Sequence, residues 1–170
     1  MNRKLIHLAL LASLGTILFV IEEWISPTIP IFKIGIANSI TLLVLLWYGW
    51  KEALVVVFIR VCAGTLWIGS FLSPGFYFAL CGGIFSTFAM AIVLPFYPKA
   101  FSLIGISIVG AWIKNAVQLG LAWLFYVRHL QIWSILPWFF LISLLGGTLV
   151  GAMVTLIWEK WNHIEPSKRA

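Results

Sequence analysis

The chain has 170 residues, 62% of them hydrophobic and only 9% charged, where a soluble domain carries about 25% charged residues. That much apolar surface cannot be hidden inside one small globule, so the expected class is an all-α integral membrane protein with lipid as its main partner. The net charge of +6 does not mark a nucleic-acid partner, because the basic residues lie mostly in short connections, and Asp is absent altogether, leaving Glu22, Glu23, Glu52, Glu159 and Glu165 as the only acids.

Spanning a hydrocarbon core of about 30 Å takes roughly 20 apolar residues. In chain order, the first such run covers about residues 5–22. It follows Met1-Asn2-Arg3-Lys4 as a signal peptide would, but without a small-residue cleavage pattern, and is expected to be a retained helix. Ala9 and Ser13 lie four apart on it, a spacing that allows close helix approach. They serve either packing within the bundle or docking of another membrane protein. Glu22 and Glu23 close this run, as a hydrated helix end or as part of a site. The connection up to Lys33 holds Pro27 and Pro30 and cannot be helical throughout.

The second run, about 34–48, is short and carries Gly35 and Asn38. Asn38 either braces the break at Gly35 or touches a ligand. The third, about 52–69, carries Arg60; the fourth, about 75–96, carries Gly82-Gly83. The fifth, about 103–127, carries Trp112, Lys114, Asn115 and Gln118, and the sixth, about 134–158, carries Gly146-Gly147 and Gly151. The glycines read as packing positions. The expectation is one membrane domain, a six-transmembrane-helix bundle over residues 1–170.

Lys and Arg set its orientation. With the N-terminus inside, Arg3, Lys4, Lys51, Lys99, Lys160, Lys168 and Arg169 fall on the inner side, against Lys33 and Arg128 on the outer side. Both termini are therefore expected in the cytoplasm of a cell-membrane protein. Trp24, Trp67 and Trp133 near outer ends, and Trp47, Trp50, Trp158 and Trp161 near inner ends, suit interfacial belts.

Arg60 and Lys114 stay within spans, where a charge costs at least about 2.5–3.5 kcal/mol unless it is paired, hydrated or bound. Both fall at middle depth. Arg60 has two readings, an ion pair with Glu22 or Glu52, or ligand contact. Lys114 has no carboxylate nearby in sequence. Lys114 and Asn115 each share a helix face with Gln118 through spacings of four and three. The two amides serve either helix–helix hydrogen bonds or a ligand. Trp112 faces lipid or core, or stacks on a ligand. The expected substrate-binding set is Glu22, Asn38, Arg60, Trp112, Lys114, Asn115 and Gln118, forming a polar cup in the outer half for a ligand with an anionic group.

No catalytic constellation emerges. Magnesium-dependent prenyl or phosphoryl transfer uses clustered carboxylates, which the chain lacks. His7, His129 and His163 lie near different helix ends, and neither HExxH nor CxxC nor a phosphate-binding loop occurs, so no metal or cofactor is expected. Cys62 and Cys81 read as small buried residues rather than as a disulfide or metal pair.

The segment Lys33-Ile34-Gly35-Ile36-Ala37-Asn38, followed by Ser39-Ile40-Thr41-Leu42, resembles the signature of the Gx transporter family, whose members are commonly labelled heptaprenyl diphosphate synthase component I. Lys51-Glu52-Ala53, Arg60 with Gly64, Phe71-Leu72-Ser73-Pro74, Gly82-Gly83 and Gly105 through Gln118 extend the resemblance over about residues 5–155. Lys114 stands where the family commonly carries His, a departure that bears on ligand charge preference. That family in turn resembles the substrate-binding S components of energy-coupling-factor transporters in bacterial membranes. The resemblance implies capture of a vitamin or small metabolite near the outer face. It also implies docking, through small first-helix residues matched here by Ala9 and Ser13, on a transmembrane coupling subunit with two ATPases. The alternative is a membrane partner of a heptaprenyl diphosphate synthase.

Overall fold

The structure is a computed structural model that describes residues 3–25, 35–126 and 128–164. Among the described residues the chain forms six α-helices and no strand: α1 (Arg3–Ile25), α2 (Ala37–Tyr48), α3 (Trp50–Ile68), α4 (Pro74–Val93), α5 (Leu103–Phe125) and α6 (Leu136–Ile164). Short 3-10 turns over Leu94–Phe96 and Leu130–Ile135 follow α4 and precede α6.

Local chemistry explains the breaks. Gly49 alone separates α2 from α3. Its φ of 97° lies where a side chain would be strained, and its N–H returns to the Leu45 carbonyl at 3.2 Å. Gly69 closes α3 in the left-handed conformation, with φ 77°. Pro74 opens α4 at the position where a missing N–H costs nothing. The Ser102 hydroxyl caps α5 by accepting from the Gly105 N–H at 3.1 Å.

Four helices are long and apolar enough to cross a membrane: α1, α4 with its 3-10 extension to Phe96, α5, and α6 with the turn before it. The other two depart from that pattern for different reasons. α3 carries Lys51, Glu52 and Arg60. α2 has 12 residues, about 18 Å of helix against a core of about 30 Å. Yet Ala37 through Leu45 are all buried. α2 is thus a short helix enclosed by protein, packed against α1, α3, α4 and α6.

α4 stands between α3 and α5, α5 packs along α6, and α1 lies against α3. The core around Leu42, Val44, Val56, Met90, Ile106 and Val154 joins α2 to α3, α4, α5 and α6. Glycines set the closest approaches. A Cβ at Gly147 would stand 2.6 Å from Ile108 Cα, and one at Gly151 2.5 Å from Ile104 Cα, so α5 and α6 touch backbone to backbone. α6 runs on beyond the end near residue 158 read from the sequence. Trp158 is 7% exposed and packs with the core. Trp24 and Trp67, by contrast, are 67% and 78% exposed at the opposite end of the bundle.

Candidate functional site

The polar residues singled out in the sequence fall into two buried clusters on either side of α4. The first gathers α1, α2 and α3. The Arg60 guanidinium donates through Nη1 to the Ala37 carbonyl and through Nη2 to Asn38 Oδ1 at 2.8 Å. The Glu22 carboxylate accepts the Gly35 N–H and lies close enough to act electrostatically on Arg60. Glu22, Asn38 and Arg60 are 6%, 7% and 3% exposed.

The sequence produces this arrangement through Gly35, whose φ of 84° turns the chain into α2. The turn leaves N–H groups at the start of α2 that a carboxylate satisfies, and the negative charge complements the positive helix end. Arg60, within electrostatic reach of that charge, bonds acceptors on the same helix start. Of the two ion-pair partners considered for Arg60, Glu22 is the one nearby. Glu52 instead pairs with Lys4 at 2.5 Å, near the opposite end of α3.

The second cluster belongs to α5. Asn115 donates to Ser143 Oγ of α6 at 2.9 Å, and that hydroxyl donates to the Phe139 carbonyl at 2.6 Å. Gln118 Nε2 reaches the Phe78 carbonyl of α4 at 3.5 Å. Lys114 and Gln118 both lie against Gly82, where a Cβ would meet their Cγ atoms at 3.2 and 3.4 Å. The next residue, Gly83, faces the other cluster, its Cβ position standing 3.8 Å from Arg60 Nη2. Two consecutive glycines, about 100° apart around the helix, therefore let the Arg60 and Lys114 side chains approach adjacent faces of α4. At about 1.5 Å per residue, Arg60 and Lys114 sit about 15 and 17 Å along α3 and α5, which places both near mid-depth.

Several buried polar atoms in these clusters have no hydrogen-bond partner among the described residues: Arg60 Nε, Gln118 Oε1 and Ser86 Oγ. Ser86 lies one turn beyond Gly82 and faces Gly110, one turn before Lys114. A cavity of about 10 Å³, room for about one water, lies between Asn38, Ser107 and the Gly146-Gly147 pair.

Among the described residues, the polar side chains of the expected cup bond one another and neighbouring backbone, these orphaned atoms apart. Trp112 is not part of either cluster. Its ring meets Phe140 edge-on at 6.3 Å on the α5–α6 face. Ser143 and Ser86 were not read from the sequence. A single Ser in an apolar helix carries no periodic signal, although the four-residue step from Gly82 to Ser86 marks a shared face.

Ala9 and Ser13 are exposed and line a groove of about 620 Å³ between α1 and α3, walled also by Thr16, Ile59, Ala63 and Trp67. Through Ala9 and Ile59 it continues into a second groove of about 500 Å³ that ends at Lys4 and Glu52. Cys62 and Cys81 are free thiols and only half-buried. Among the described residues, no three His, Cys or Glu side chains gather as a metal site would require.

The profile of a family described as heptaprenyl diphosphate synthase component I matches residues 11–157. No curated protein and no solved structure matches the chain.

Proposed function

The chain belongs to the heptaprenyl diphosphate synthase component I family, and from that premise we propose that it is the substrate-capturing subunit of an energy-coupling-factor type uptake transporter. In this reading it is a six-span protein of a bacterial cell membrane with both termini in the cytoplasm, and α2 is a short internal span. The observation that carries the reading is the placement of Arg60 and Lys114 at mid-depth against adjacent faces of α4, at Gly83 and Gly82. Two buried cations on the helices that flank α4 suit a vitamin or small metabolite with a carboxylate or phosphate. The unfilled acceptor of Gln118 and hydroxyl of Ser86 on the same α4–α5 seam add hydrogen-bonding capacity. Ligand entry would loosen the present contacts around Asn38 and Gln118 in exchange for contacts to the ligand.

The groove beside Ala9 and Ser13 supports the docking half of the reading. Small side chains there leave room for a helix of a coupling subunit, which would bring two ATPases. The chain carries no phosphate-binding loop of its own. Purification with any retained small molecule, followed by mass spectrometry and binding to the Lys114→Ala variant, tests the capture role. An identified ligand that binds the variant unchanged counts against the site.

A second reading is a membrane partner of heptaprenyl diphosphate synthase, and the family's own description favours it. In that reading the chain scaffolds a soluble synthase and supplies no magnesium-binding carboxylates. Co-purification separates the two: a coupling subunit with ATPases on one side, a soluble prenyl synthase on the other.

A further inference from the structure

α2 packs against α1, α3, α4 and α6, and the cavity of about 10 Å³ separates its start from α5. Gly35, Asn38, Met90, Ser107, Ala111 and Gly146 are among the residues that line it. The Asn38 amide is oriented by its partner. A guanidinium can only donate, so the amide oxygen faces Arg60 Nη2. The amide nitrogen is left on the cavity side, 3.6 Å from the Cβ position of Gly35, another lining residue. On α5, Ser107 lacks the usual bond of a helical serine. Ser13, Ser39 and Ser143 donate to carbonyls three or four residues earlier, and Ser107 does not. Asn38 and Ser107 are 7% and 4% exposed, yet neither Asn38 Nδ2 nor Ser107 Oγ has a hydrogen-bond partner among the described residues. Both atoms keep some open surface, unlike the sealed Ser86 Oγ. In side chains this deeply buried, that surface faces the cavity they line.

We propose that this cavity is a site for a single water molecule, which accepts a hydrogen bond from Asn38 Nδ2 and donates one to Ser107 Oγ. The volume suits about one water, and cavities that stay dry are apolar. A dry cavity here would leave a buried donor and a buried hydroxyl unmet, which is costly at this depth. A sodium or ammonium ion would face the amide hydrogens, because Arg60 holds the amide oxygen. A carboxylate or phosphate group is larger than the volume allows. The water completes a chain from α3 through α2 to α5, formed by Arg60, Asn38, the water and Ser107. It thereby ties the start of the short α2 to the helix that carries Lys114 and Gln118. The inference goes beyond the transport reading and does not depend on it, since neither Lys114 nor a captured ligand takes part.

The experiment uses the full chain in lipid nanodiscs with isotope-labelled asparagine. Rotating-frame magnetic resonance follows cross-relaxation from water to the side-chain amides, and its sign separates a neighbouring bound water from hydrogen exchange. The Asn115 amide, 4% exposed and bonded to Ser143 Oγ, is the reference. The expected result is a direct water signal at the Asn38 amide well above that at Asn115. Ala111→Leu fills the cavity and leaves Asn38 and Ser107 in place, with Ala111→Val as the milder replacement. Either should bring the Asn38 signal down to the Asn115 level, and an unshifted Asn115 resonance shows that the variant is folded. An Asn38 signal no greater than that of Asn115 in the wild type overturns the proposal. So does a signal that survives the filled cavity, as one relayed by the Ser107 hydroxyl would. Failure here removes the water alone. The capture role fails separately, if no retained ligand depends on Lys114.

Discussion

Arg60 Nη2 donates to Asn38 Oδ1 at 2.8 Å, and the same guanidinium holds the Ala37 carbonyl, so one α3 side chain fixes the start of α2. Both residues are almost fully buried. Removing Arg60 strands the Asn38 amide oxygen and the Ala37 carbonyl in the core. Arg60→Ala is expected to lower stability in detergent by about 3–5 kcal/mol, and Asn38→Ala by about 1–3 kcal/mol. Because the two share a bond, the double variant should lose less than the sum of the singles, by about 0.5–3 kcal/mol. Additive losses in thermal or denaturant unfolding would contradict the shared bond.

The ion pair between Lys4 and Glu52 offers the contrast. Lys4 is half-exposed, so water screens the attraction. Glu52→Gln should leave thermal stability almost unchanged under conditions where Arg60→Gln does not. A large loss on Glu52→Gln would place that pair in a drier setting than its exposure indicates.

Glycine replacements should rank by what the new Cβ meets. Gly151→Ala drives a methyl group against the Ile104 backbone, and Gly147→Ala against that of Ile108. Neither backbone can move without parting α5 from α6, and a loss of about 1–3 kcal/mol is expected for each. Gly110→Ala meets the flexible end of Met90 and should cost less. Gly120→Ala meets no atom within 4 Å and should be neutral or stabilising, by up to about 1 kcal/mol. Unfolding midpoints of the four variants check the order.

The groove between α1 and α3 predicts a separation of functions. Ala9→Leu with Ser13→Leu fills it from exposed positions, away from Arg60 and Lys114. The double variant should fold and keep any retained ligand, but no longer co-purify with a coupling subunit. Undiminished association would move the docking surface elsewhere.

The sequence revealed most where chemistry broke a pattern. An all-helical membrane class followed from apolar runs, and the family from the Gly35–Asn38 segment and its companions. Gly82-Gly83 read only as packing residues. Their part in admitting two cationic side chains against adjacent faces of α4 needs the lateral order of α3, α4 and α5, which hydropathy does not encode. The bond between Arg60 and Asn38 was illegible for a similar reason: it depends on α2 beginning deep in the bundle. Trp112 lies two residues, about 200° around α5, from Lys114 and packs on Phe140 of α6, the helix that Asn115 also meets.

The central claim is that the buried cations serve a ligand. Native mass spectrometry of the purified chain, with affinity measured for the wild type and for Lys114→Ala, tests it most directly. The account predicts a retained small molecule bearing a carboxylate or phosphate, and at least about a tenfold loss of affinity on Lys114→Ala, about 1.4 kcal/mol. A folded Lys114→Ala protein that binds the identified molecule as tightly as the wild type would contradict it.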